Sequence, residues 1–178
     1  MNTKKLALSA ILSALGVVLL TLGSLIEVLD ISSAAIAGFA IVIAVIELRG
    51  SYPVMMYFAI SILSVLILPN KYPAVFFIFF GGFYPIFKAY IERFHYIISW
   101  IVKFSMFNMF LSSLILVINF LIEKEFLPPF NEDIFDNFKI IVFIVANFTF
   151  LLYDIAMTKI INLYIVKIRK LIGLKNYF

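Results

Sequence analysis

Apolar residues fill this chain in long runs, and the polar positions fall in short, nearly regular breaks between those runs. A bilayer core about 30 Å thick takes about 20 helical residues per crossing, which matches the spacing of the breaks. The pattern predicts six helices, over about 6–26, 33–48, 52–68, 74–91, 96–122 and 139–164. The first break holds Glu27 and Asp30, the second Arg49-Gly50-Ser51, and the third Pro69-Asn70-Lys71-Tyr72-Pro73. Charged residues are costly in hydrocarbon, and prolines bracketing polar residues mark a turn. The only long connection is the acidic stretch from Glu123 to Phe138, which carries Pro128-Pro129. Gly81-Gly82 and Pro85 predict a kink or a close helix contact in the second half of the fourth helix.

Composition sharpens this picture. The chain is 65% hydrophobic and 13% charged over 178 residues, with a mean hydropathy of +1.14. Ordinary soluble domains run to about 45–50% apolar and about 25% charged, so the expectation is an all-α integral membrane protein. Residues 1–178 are expected to form a single six-helix transmembrane domain, multi-pass in a cell membrane of the bacterial plasma-membrane type. The first apolar run is longer than the core of a signal peptide and has no A-x-A-like site after it, so it is expected to be a retained helix.

The net charge of +4 changes little by itself, because the basic residues sit at the ends of apolar runs instead of forming a nucleic-acid-binding face. Their distribution carries topology. With a cytoplasmic N-terminus, Lys4, Lys5, Arg49, Lys88, Arg93, Lys103, Lys159, Lys167, Arg169, Lys170 and Lys175 fall at or towards the cytoplasm, leaving Lys71, Lys124 and Lys139 opposite. The bias predicts that both termini are cytoplasmic.

Little in the sequence suits catalysis. There is no cysteine, so thiolate chemistry is unavailable; His95 is the only histidine, so no His-Glu-x-x-His pair can grip a metal, and a Ser nucleophile has neither a G-x-S-x-G elbow nor a second histidine to serve it. Asp154 is the only aspartate deep in a predicted helix, whereas an intramembrane aspartyl dyad needs two. The chain is therefore read as no enzyme, with no cofactor and no metal.

Asp154 is nonetheless the most unusual residue, since a carboxylate within the bilayer normally faces the interior with a partner. Lys103, on the fifth helix, lies at a comparable depth, and the two are expected to form a buried charge pair across an antiparallel hairpin. Ser105, Asn108, Ser112 and Asn119 recur along the fifth helix, and Asn147, Asp154 and Thr158 share a face of the sixth. Interhelical hydrogen bonding is one reading of these rows. The other is an outward-facing substrate site in the outer half, built from Asn119 and Asn147 with Asn70, Lys71, Glu27 and Asp30. Helix 1 carries small residues at Ala7, Ala10 and Ala14, and helix 2 carries Ala34, Ala37, Gly38, Ala40 and Ala44. Small residues admit close helix approach, so helix 1 either satisfies helix 2 through that row or offers it to a partner.

The opening Lys4-Lys5-Leu6-Ala7-Leu8-Ser9-Ala10-Ile11-Leu12-Ser13-Ala14-Leu15-Gly16, followed by short-looped spans, resembles the substrate-binding S components of energy-coupling-factor vitamin transporters. That family carries an Ala-x-x-x-Ala motif on helix 1, matched here by Ala10 to Ala14. The resemblance implies docking of a transmembrane coupling subunit at that motif and recruitment of cytoplasmic ATPases. It also implies an outward-facing site for a small vitamin-like molecule beneath loops around Glu27 to Asp30 and Pro69 to Tyr72. An alternative is a non-enzymatic scaffold resembling the rod-shape-determining six-helix protein of cell-envelope machinery.

Overall fold

The computed structural model describes residues 3–48, 50–122 and 132–169; within the helices, the side chains of residues 27, 114–122, 132–139 and 168 are outside the description. Six helices make up the described chain, and no strand occurs among the described residues. They are α1 (Thr3–Leu25), α2 (Asp30–Glu47), α3 (Tyr52–Ile67), α4 (Tyr72–Ile91), α5 (Tyr96–Ile122) and α6 (Glu132–Leu163). A short 3-10 turn, Glu27–Leu29, links α1 to α2. Among the described residues, four stretches are long and apolar enough to cross a membrane: α1, α2, α4 and Ile140–Lys167 of α6 with its continuation. Helix α3 is apolar but only 16 residues long.

The helix limits follow from local chemistry. Helices α3 and α4 each open with a proline in the first turn, where a missing N–H leaves no intrahelical bond unmade. At the end of α3, Lys71 turns back and its Nζ donates to the carbonyls of Val65 and Leu68, satisfying acceptors that the helix leaves open. Asp30 opens α2, where a carboxylate suits the positive end of the helix dipole. Helix α1 starts three residues ahead of the hydropathy boundary and takes in Lys4 and Lys5, which are good helix formers whose long stems reach polar surroundings. Helix α6 begins seven residues early, at Glu132. Hydropathy reads those residues as loop, yet acids are favourable in a first turn.

The chain divides into two compact units, with the change falling between Arg93 and Phe94. In the first, α2 is central and packs against α1, α3 and α4. Its buried positions are mostly small: Ala34, Ala37, Gly38, Ala40 and Ala44, with Ile41 among them. They meet a core that includes Leu20 of α1, Ile60 of α3 and Phe77 of α4, each fully buried. The close contact expected at Gly81-Gly82 is present. A Cβ at Gly38 would collide with the carbonyl oxygen of Gly81, and one at Gly81 with that of Ala34, so the backbones of α2 and α4 touch. Helix α4 makes this approach through a π turn, Phe77–Gly81, closed by Gly82 N–H donating to the Phe77 carbonyl at 2.7 Å. Pro85, four residues after Gly81, has no N–H to give to the Gly81 carbonyl, so regular α winding is already interrupted there.

The second unit contains α5 and α6. Phe150 stacks on Phe107 with ring centroids 4.4 Å apart and meets Phe104 edge-on at 5.5 Å. Such aromatic pairs add about 0.5–1.5 kcal/mol beyond the area they bury. Past Leu163, α6 continues as a second π turn, Tyr164–Ile168.

Candidate functional site

The polar residues of the second unit form a ladder between its two helices. Lys103 Nζ donates to both carboxylate oxygens of Asp154, at 3.2 and 3.3 Å, and both side chains are buried. The ammonium group also lies 5.4 Å from the centroid of the Trp100 ring, one turn earlier on α5. A little further along the pair, Asn147 Nδ2 donates to Asn108 Oδ1 at 2.9 Å and to the Phe143 carbonyl at 2.9 Å. As the α5 partner advances from 103 through 107 to 108, the α6 partner retreats from 154 through 150 to 147. The helices are therefore antiparallel, with side chains fixing their register. Ser105 and Ser112 are exposed, so the row read along α5 does not act as one face. Asn119 belongs to that row, but its side chain lies outside the described residues.

In the first unit, two residues expected at the substrate site meet. Asn70 Nδ2 donates to Asp30 at 3.1 Å (Oδ2) and 3.4 Å (Oδ1), tying the start of α2 to the turn between α3 and α4. Asn70 Oδ1 accepts from the Tyr72 N–H at 3.0 Å, which holds the turn itself. Lys71 sits beside them, with its ammonium on the α3 carbonyls as described. The side chain of Glu27 lies outside the described residues.

Helix α1 presents two distinct faces. Ser9, Leu12, Gly16, Leu20, Gly23 and Ser24 are buried, recurring at helical spacing along the side that meets the rest of its unit. Ala7, Ala10 and Ala14 lie on the far side and are all exposed. Of the two uses open to that row, packing against α2 is not the one adopted. Helix α2 instead turns Gly38 and Ala34 towards α4.

Sequence reasoning read Lys88 and Arg93 for topology alone and did not weigh Glu47, yet these charged groups gather at the end of the first unit opposite Asp30, roughly 26 Å away along α2 at helical rise. Glu47 and Lys88 are buried, and Lys88 pairs with Glu92 at 2.8 Å. The i,i+4 spacing of Lys88 and Glu92 was a legible signal for that pair. A cavity of about 480 Å³ opens at the same end, with Arg93 in its wall. Among the described residues, no cluster of His, Cys, Asp or Glu is arranged to hold a metal ion. No protein-family model, curated protein or solved structure matches the chain.

Proposed function

We propose that the chain is the substrate-capturing membrane subunit of an ATP-driven importer of a small, vitamin-like solute, with no catalysis of its own. In this reading it spans the cell membrane with both termini in the cytoplasm. The observation that carries the proposal is the exposed row of Ala7, Ala10 and Ala14 on a helix whose own packing uses its other side. Lipid gives helices no hydrophobic reason to associate, so a row of small residues is where another backbone can approach closely. By resemblance, that neighbour is a transmembrane coupling subunit carrying cytoplasmic ATPases. The solute site belongs to the outer helix ends of the first unit, around Asp30, Asn70 and Lys71.

Gentle purification from native membranes, followed by mass spectrometry of subunits and small molecules, tests the proposal. Copurifying ATPases together with a bound solute support it; a chain recovered with neither contradicts it. Cysteines placed at Asn2 and Asn176 should resist impermeant thiol reagents in intact cells, while one at Asn131 labels. Labelling at either terminus from outside overturns the orientation. A second reading, a cell-envelope scaffold, is favoured by one observation. The polar pairs Asp30–Asn70, Asn108–Asn147 and Lys103–Asp154 answer one another instead of standing open to a ligand.

A further inference from the structure

The cavity beside Arg93 has a role outside the proposed solute path. We propose that it binds a phosphate-bearing anion, the headgroup of an anionic membrane phospholipid. Its volume of about 480 Å³ falls within the range of small-ligand sites, roughly 300–1,000 Å³. Its walls come from the end of α2 (Val45), the first turn of α3 (Val54) and the last turns of α4 (Ile86, Ala89, Tyr90), with Arg93 just beyond. Helices α2 and α4 are both candidate spans, and both finish here, at Glu47 and Ile91. The cavity therefore lies at the level where a bilayer gives way to its headgroups.

Among the described residues, Arg93 is the one charged side chain in this wall. Its guanidinium carbon lies 5.2 Å from the centroid of the Tyr90 ring, and the side chain is exposed; contact with a ring face leaves the edge donors of a planar fork available. That fork matches the oxygens of a phosphate and binds them in bidentate fashion. The acid next to it in sequence, Glu92, is held by Lys88 at 2.8 Å. Helix α3 starts in the same wall with no side chain capping its first turn, which adds partial positive charge to that of the guanidinium.

The remaining walls decide between a lipid and a soluble phosphate. Apart from Tyr90, their side chains are apolar, and one of the walls continues out of the cavity. Val54 is followed along α3 by Phe58, Ile62 and Val65, a row at helical spacing in which every residue is exposed. This row is a track for an acyl chain, leading from the headgroup level into the hydrocarbon. A soluble anion has no use for it.

The test is native mass spectrometry of the full chain in detergent, with phosphatidylglycerol or phosphatidylcholine added. Retention of phosphatidylglycerol over phosphatidylcholine is expected, and Arg93→Gln should reduce it about fivefold, the effect of one basic side chain at a membrane surface. Arg93→Lys should keep most of it. Ala89→Trp fills the cavity with the charge left in place, and should abolish the preference while the unfolding temperature holds. Equal retention of the two lipids by the unaltered chain overturns the proposal, as does an undiminished preference in either Arg93→Gln or Ala89→Trp. Displacement of phosphatidylglycerol by excess inorganic phosphate also overturns it, by identifying the ligand as a soluble phosphate compound.

Discussion

In the first unit the tightest helix contact is made by residues with almost no side chain, Gly38 and Ala34 of α2 against Gly81 of α4. In the second, α5 and α6 are bridged by long polar side chains and stacked aromatic rings. Half of the α2 span is buried, against 17% of the α6 span. For helices long and apolar enough to cross a membrane, both arrangements answer one difficulty, that apolar surface alone does not bring helices together in lipid. Backbone approach gains dispersion over a continuous area but tolerates many small shifts in register. A charge pair gains little over its own desolvation, yet it penalises any register in which it is broken. The first unit is thus built for packing, and the second for a defined alignment of two otherwise apolar rods.

The comparison breaks most readily at Asp154. Removing one member of a buried pair typically costs 3–5 kcal/mol, because the other charge is left uncompensated. Asp154→Ala should therefore destabilise the chain strongly in detergent unfolding experiments, and Asp154→Ala with Lys103→Ala should destabilise it less. Strictly additive effects in this cycle would mean that the pair does not set the α5–α6 alignment. The first unit offers the next largest effect. Alanine is a better helix former than glycine by about 1 kcal/mol, but a methyl at Gly38 meets the Gly81 carbonyl, and backbone cannot move aside as a flexible side chain does. Overpacking of this kind typically costs about 1–3 kcal/mol, so Gly38→Ala should lower the unfolding temperature. A rise would show that the α2–α4 contact is looser than the structure has it.

How much of this was legible in the sequence varies with the kind of interaction. Helix number followed from hydropathy, since each break holds residues that hydrocarbon rejects. The junction of Lys103 with Asp154 was also legible, because two charges at matched depth on neighbouring antiparallel helices have few other ways to be satisfied. The division between Arg93 and Phe94 was not, for no change in composition marks it. The α1 start and the α6 start were misjudged because Lys4, Lys5 and Glu132 were read as too polar for a helix that in fact extends past the apolar layer. The two uses of the Ala7, Ala10 and Ala14 row were indistinguishable from spacing alone. Helix α1 carries small residues on both sides, with Ser9, Gly16 and Gly23 on the buried one, and only packing tells which side faces inward. The Arg93 cavity had no sequence signature, because its walls come from three helices.

The smallest expected effect on stability belongs to the exposed side of α1, and it bears most directly on the proposed role of the chain as a subunit that works through a partner. Ala10→Leu combined with Ala14→Leu adds bulk on a side of α1 that is exposed among the described residues, so the unfolding temperature should stay within the range of ordinary surface changes, about ±0.5 kcal/mol in stability. The measurement is quantitative mass spectrometry of proteins recovered with the variant and with the unaltered chain from the same native membranes. The account predicts a folded variant that has lost its membrane partner and the attached ATPases. A variant that keeps the same companions, or one that unfolds, would contradict it.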